Sequence, residues 1–142
     1  MKEIIPYILA IAAGIFTTLE ASINSQLGKV VSPNLATLHS LLVGVLVMLV
    51  ANIFSGNLNE YGKVLNVRFD WLIGGIFGAL IIYFTTETVP KLGVTVTLTM
   101  VIAGQILSSF YLDIFVLKNQ RLELTKIFGA LLVLAGVYFI SE

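Results

Sequence analysis

An all-α integral membrane protein, a five-transmembrane-helix bundle, is the fold this sequence predicts, and three observations predict it. The 142 residues are 58% hydrophobic and only 11% charged, with a mean hydropathy of +1.00; a soluble domain carries about 25% charged residues to cover its water-facing surface. Five stretches are each apolar for long enough to cross a hydrocarbon core about 30 Å thick, which takes ~20 helical residues. The first of them holds a carboxylate, Glu20, well inside its length. A charge at such depth costs about 2.5–3.5 kcal/mol even on the lenient insertion scale, so it faces a cavity or a partner.

The first span is expected over residues 4–27, with Pro6 in its first turn, where the missing N–H does no harm. Ala10-Ile11-Ala12 resembles a leader cleavage site. Glu3 spoils the basic leader, however, and the apolar run continues to Ile23, so the stretch reads as a span. The second span, 34–54, starts at a strong signal: Ser32 can cap it and Pro33 can occupy its first turn. Residues 55–70, rich in Gly, Asn, Lys and Arg, read as a polar connection too short to fold alone. Asp70 is expected to cap the third span, 71–89, and Trp71 sits where an interfacial aromatic belongs. Pro90 is expected to end it. The short turn Pro90-Lys91-Leu92-Gly93 makes spans three and four antiparallel neighbours. Span four covers 94–117 and span five 124–140, so residues 1–142 form one membrane domain. Strands are excluded by length, because outer-membrane strands alternate over ~10 residues.

Charge and composition narrow the function. Eight basic and eight acidic residues leave no net charge and no basic patch for nucleic acid. The absence of cysteine removes disulfides and thiolate chemistry, and a lone histidine excludes a multi-histidine metal site. No nucleophile elbow, zinc-protease helix or phosphate loop is present, so neither an enzyme nor a cofactor is expected. With the N-terminus inside, the inner segments hold Lys2, Lys63, Arg68, Lys118, Arg121 and Lys126 against Lys29 and Lys91 outside. The positive-inside rule therefore predicts N-in, C-out. Small residues at four-residue steps, such as Ala10, Gly14 and Thr18, Gly74 and Gly78, and Gly104 and Ser108, together with Gly129 and Gly136 in span five, are expected helix contacts.

The polar residues inside the spans are the candidate site. Thr17, Glu20 and Asn24 recur at steps of three and four and share one helical face. They read either as a site for a proton or cationic substrate, or as an interhelical hydrogen-bonded pair that only holds helices together. His39 should lie at the depth of Glu20 in the antiparallel neighbour, where a Glu–His pair would make a proton relay; its other reading is a wetted residue near the interface. Gln105, with Ser108 one turn on, could orient a substrate or bond a neighbouring helix. Glu87 and Asp113 fall near span ends, where solvated orienting roles are expected.

The run Ala21-Ser22-Ile23-Asn24-Ser25-Gln26-Leu27-Gly28, then Ser32-Pro33 and Gly44, is similar to the start of the YdcZ-like family of the drug/metabolite transporter superfamily. Pro90-Lys91-Leu92-Gly93, Gly104-Gln105, Leu112-Asp113 and the final glycine-spaced run from Gly129 through Gly136 to Val137 look like the family's other marks. The resemblance implies a bacterial inner-membrane, multi-pass protein equivalent to half of a ten-helix transporter. It further implies a site between two antiparallel copies or between a chain and a sister chain, moving a small molecule by alternating access. Glu20 stands where glutamine is expected in relatives, and Ile114 where histidine is expected. Glu20 resembles the first-helix glutamate of small multidrug-resistance proteins by helix order, not by local motif. A half-transporter is the expected function, and the alternative is a non-transporting accessory or interaction subunit whose buried polar residues stabilise a helical complex.

Overall fold

The computed structural model describes residues 4–112, 114 and 124–141. Every long element is an α-helix: α1 Ile4–Val30, α2 Pro33–Ser55, α3 Gly74–Leu92, α4 Val94–Tyr111 and α5 Leu124–Ser141. No strand occurs among the described residues. Four of these stretches, Ile4–Val30, Pro33–Ser55, Phe69–Leu92 and Val94–Tyr111, are long and apolar enough to cross a membrane, and Ile127–Ile140 is a shorter apolar helix. The chain is an all-α membrane protein.

The residues divide into two compact units, Met1–Lys91 and Leu92–Glu142. In the first, α1 and α2 pack as a helical hairpin. The cap expected from sequence is present: Pro33 opens α2, and the Ser32 hydroxyl accepts the Leu35 N–H at 3.3 Å. At its far end α2 stops on Gly56, whose φ of 69° is the left-handed conformation, with its N–H returned to the carbonyls of Asn52 and Ile53. That conformation is why glycine stands there, since a Cβ would crowd the following carbonyl.

Four sequence expectations change here. The connection read as merely polar contains a 3-10 helix, Asn57–Asn66, and a second 3-10 turn, Phe69–Trp71. Asp70 does not cap α3, which begins at Gly74; its carboxylate accepts two N–H groups of Arg68, at 3.0 and 2.8 Å, because the guanidinium fork two residues away reaches it first. Pro90 does not end α3, which continues to Leu92. A proline removes one N–H, and so close to the helix end the last turn survives its loss. α1 likewise runs to Val30, three residues beyond its expected end.

In the second unit α4 and α5 pack on each other. Gly93, at φ 81°, precedes α4, and its carbonyl accepts the Thr97 N–H at 3.2 Å. Thr97 of α4 and Val137 of α5 are buried. Of the expected extension of span four to Leu117, Asp113 and residues 115–117 lie outside the described residues.

Burial is inverted relative to a soluble protein. Among the described residues the buried set is small or polar: Ala21, Asn24 and Ser25 of α1, Ala36 and Thr37 of α2, Thr85, Thr86 and Val89 of α3, with Thr97 and Val137. The large side chains, such as Ile15, Phe16, Leu46 and Phe84, point outward. Lipid tails are as apolar as leucine, so burying leucine gains little in a membrane, whereas small and polar groups gain close packing and hydrogen bonds. In the first unit all buried residues sit near the α1–α2 turn and the end of α3. Thr86 is fully buried there, and a Cβ added to Gly28 would lie 2.8 Å from its Cγ2. Among the described residues, the expected helix contacts through Gly14, Gly74, Gly78, Gly104, Gly129 and Gly136 do not form inside either unit, since an added Cβ at each meets no described atom within 4 Å. Residue spacing marks where a backbone can be approached, not whether anything approaches it.

Candidate functional site

The polar stripe of α1 meets α2 at Ser40. The Ser40 hydroxyl donates to Glu20 Oε1 at 3.0 Å and accepts from Asn24 Nδ2 at 3.1 Å. One hydroxyl thus bridges a carboxylate and an amide a turn apart on the facing helix, using its single donor and one of its lone pairs. The hairpin sets this register. At 1.5 Å per residue, Glu20 lies about 15 Å and Asn24 about 9 Å back from the end of α1, while Ser40 lies about 10 Å into α2. The serine therefore falls between them.

The cluster is graded from inside to outside. Asn24 is buried, with Ser25 beside it at 1% exposure, Ser40 is half-buried, and Glu20 is exposed on the surface of the chain. With Oε1 accepting from Ser40, the carboxylate keeps further acceptor capacity for another donor. An exposed carboxylate well inside an apolar helix requires water or a second protein surface against it, because hydrocarbon offers no donor.

The other sequence candidates fare differently. Thr17 is on the exposed face of α1, and its hydroxyl donates to its own helix at the Ala13 carbonyl, 2.9 Å away, so it adds nothing to the cluster. His39 is exposed and forms no hydrogen bond with Glu20; Ser40, its neighbour, takes that place. Gln105 and Ser108 belong to the second unit, on exposed positions of α4, where the Gln105 carbonyl accepts the Ser109 hydroxyl at 2.7 Å. Glu87 pairs with Lys91 one turn along α3. Ser40 itself was missed by sequence reasoning. Counting back equal depths from the Ser32-Pro33 turn would have found it, whereas a search for ionisable residues stops at His39.

Architecture and site together define a small multi-pass α-helical membrane protein with an ionisable group held at membrane depth, the kind of arrangement that marks ion and solute pathways. The chain belongs to the YdcZ family: the family described as "Putative inner membrane exporter, YdcZ" matches residues 5–139. It is 24% identical over 148 residues to the inner membrane protein YdcZ of Escherichia coli (strain K12), covering 100% of this chain and 98% of that protein. No solved structure matches it. Membership makes this an inner-membrane, multi-pass protein and supports a transporter role over an enzymatic one.

Proposed function

We propose that this chain is a half-transporter subunit that moves a small molecule across the inner membrane by alternating access between two antiparallel protomers, with Glu20 as the proton-coupling residue. The observation that carries the reading is the exposed Glu20 carboxylate tied through Ser40 to buried Asn24. A group so placed is incomplete in a single chain and is completed by a partner protomer across a water-filled path. Five helices are an odd number, so only an oppositely oriented copy or sister chain recreates an inverted repeat. The six-to-two distribution of basic residues favours N-in for this chain and a sister chain of opposite bias as its mate. Asn24 would orient the substrate by hydrogen bonds, and Gln105, on an exposed position of α4, is a separate candidate for such a role. The exporter description of the family supports the transport part of this reading.

The same network supports a second reading. Because Ser40 joins α1 to α2, the cluster is also a helix clamp, as an accessory subunit without transport would need. Flux in proteoliposomes separates the two. Glu20→Gln keeps an acceptor for the Ser40 hydroxyl but cannot carry a proton. Retained assembly with lost pH-dependent flux supports coupling through Glu20. Lost assembly with no flux in the wild type supports the clamp.

A further inference from the structure

The connection between α2 and α3 exposes large apolar side chains beside its charged pairs. Phe54 is 88% exposed and Leu65 87%, and Phe69 and Trp71 are also largely exposed. The left-handed turn at Gly56 reverses the chain, so the 3-10 helix Asn57–Asn66 packs back on α2. In a 3-10 helix side chains three apart eclipse. Leu58, Tyr61 and Val64 therefore share a face, and Leu58 and Tyr61 line a groove of about 400 Å³ against Val45, Met48 and Leu49 of α2. Val45 is ten residues before the end of α2, so the groove extends about 15 Å along a membrane-spanning helix.

We propose that residues 57–71 lie in the membrane interface as a lipid-bound segment, with phospholipid of the spanned bilayer filling the groove and covering Phe54, Leu65, Phe69 and Trp71. Four features fit that occupant. The groove is continuous with the outward apolar flank of α2, the surface already facing lipid in a spanning helix. The charges of the segment cancel in pairs, Glu60 with Lys63 at 3.2 Å and Arg68 with Asp70 at 2.8 Å, so a zwitterionic headgroup layer meets no net charge. Part of the polar demand is also met: 3-10 bonding pairs backbone groups within 57–66, and the Asn52 amide at the groove donates to the Met48 carbonyl at 2.8 Å. Aromatic rings beside Lys and Arg are the composition of interfacial segments.

The chain has one tryptophan, Trp71, which reports on the segment without substitution; Leu65→Trp in a Trp71→Phe background gives a second position. Both are read in the full chain reconstituted into phosphatidylcholine vesicles, with iodide outside and inside as the aqueous quencher and acyl-brominated lipid as the membrane quencher. Blue-shifted emission, strong quenching by brominated lipid and shielding from iodide are expected at both positions. Quenching by iodide at either position would overturn the proposal in favour of an aqueous loop. Shielding from both quenchers would overturn it in favour of a protein partner on this face. If the Leu65→Trp chain fails to fold, Trp71 alone decides between these outcomes.

Discussion

Removing the Ser40 hydroxyl tests the site at its hub. Ser40→Ala deletes two interhelical bonds, 3.0 Å to Glu20 and 3.1 Å from Asn24. Polar bonds between membrane helices average about 0.6 kcal/mol each, which gives ~1.2 kcal/mol for the pair. The Asn24 amide, 5% exposed, loses its acceptor, and an unsatisfied buried donor adds about 1 kcal/mol at the low end of its range. The total is about 2 kcal/mol, or ~30-fold in the folding equilibrium. Reversible unfolding in mixed micelles, titrated with a denaturing detergent, measures it. Asn24→Ala in the same cycle should be strongly non-additive with Ser40→Ala, since either change breaks the same bond, while Ser40→Thr, which keeps a hydroxyl, should retain most of the stability. A loss below about 0.5 kcal/mol, with additivity inside that margin, would refute the bridge.

Two further substitutions read the frame around the site. Gly28→Ala places a methyl 2.8 Å from the Thr86 methyl; Thr86 is fully buried, so the packing around it must shift and a loss of about 1–3 kcal/mol is expected in the same unfolding assay. Adding Thr86→Ser removes that methyl and should restore part of the loss; no restoration would mean that α1 and α3 do not meet there. Gly56→Val forces a branched residue into the left-handed conformation and should cost about 1–2 kcal/mol, with Gly56→Asn costing less. Equal stability for all three residues at 56 would show that α2 does not end in this turn. For orientation, reporter fusions at both termini should place the N-terminus inside and the C-terminus outside, and a uniform opposite result would overturn the reading of the basic residues.

Much of the fold is legible in the sequence because the solvent is lipid. Each span must satisfy its own backbone, so an apolar run of sufficient length dictates a helix without help from distant contacts. Ser32-Pro33 marks a boundary by local chemistry alone, and the hairpin follows from its shortness. What is not legible is which face of each helix turns inward. A helix apolar all round has little amphipathic contrast, so the pairing of Ser40 with Glu20, in place of His39, depends on register and rotation that periodicity does not report. The glycine spacings share this weakness: Gly28 is in close contact and Gly14 is not, although both look alike as sequence. The 55–70 connection misleads for another reason. Its polar residues are frequent enough to suggest water, yet Arg68 takes Asp70 and Lys63 takes Glu60, and beside these exposed pairs stand exposed aromatic and aliphatic side chains.

The account rests on the Glu20–Ser40–Asn24 cluster opening onto water or a partner at membrane depth, sheltered from acyl chains. The cysteine-free chain allows a direct measurement. Ser40→Cys, reconstituted in vesicles, is exposed either to a membrane-impermeant maleimide or to a maleimide carried on a lipid tail. Labelling by the aqueous reagent, blocked when Glu20 is replaced by a bulky residue such as tryptophan, is the predicted result. Labelling only by the lipid-borne reagent would contradict it.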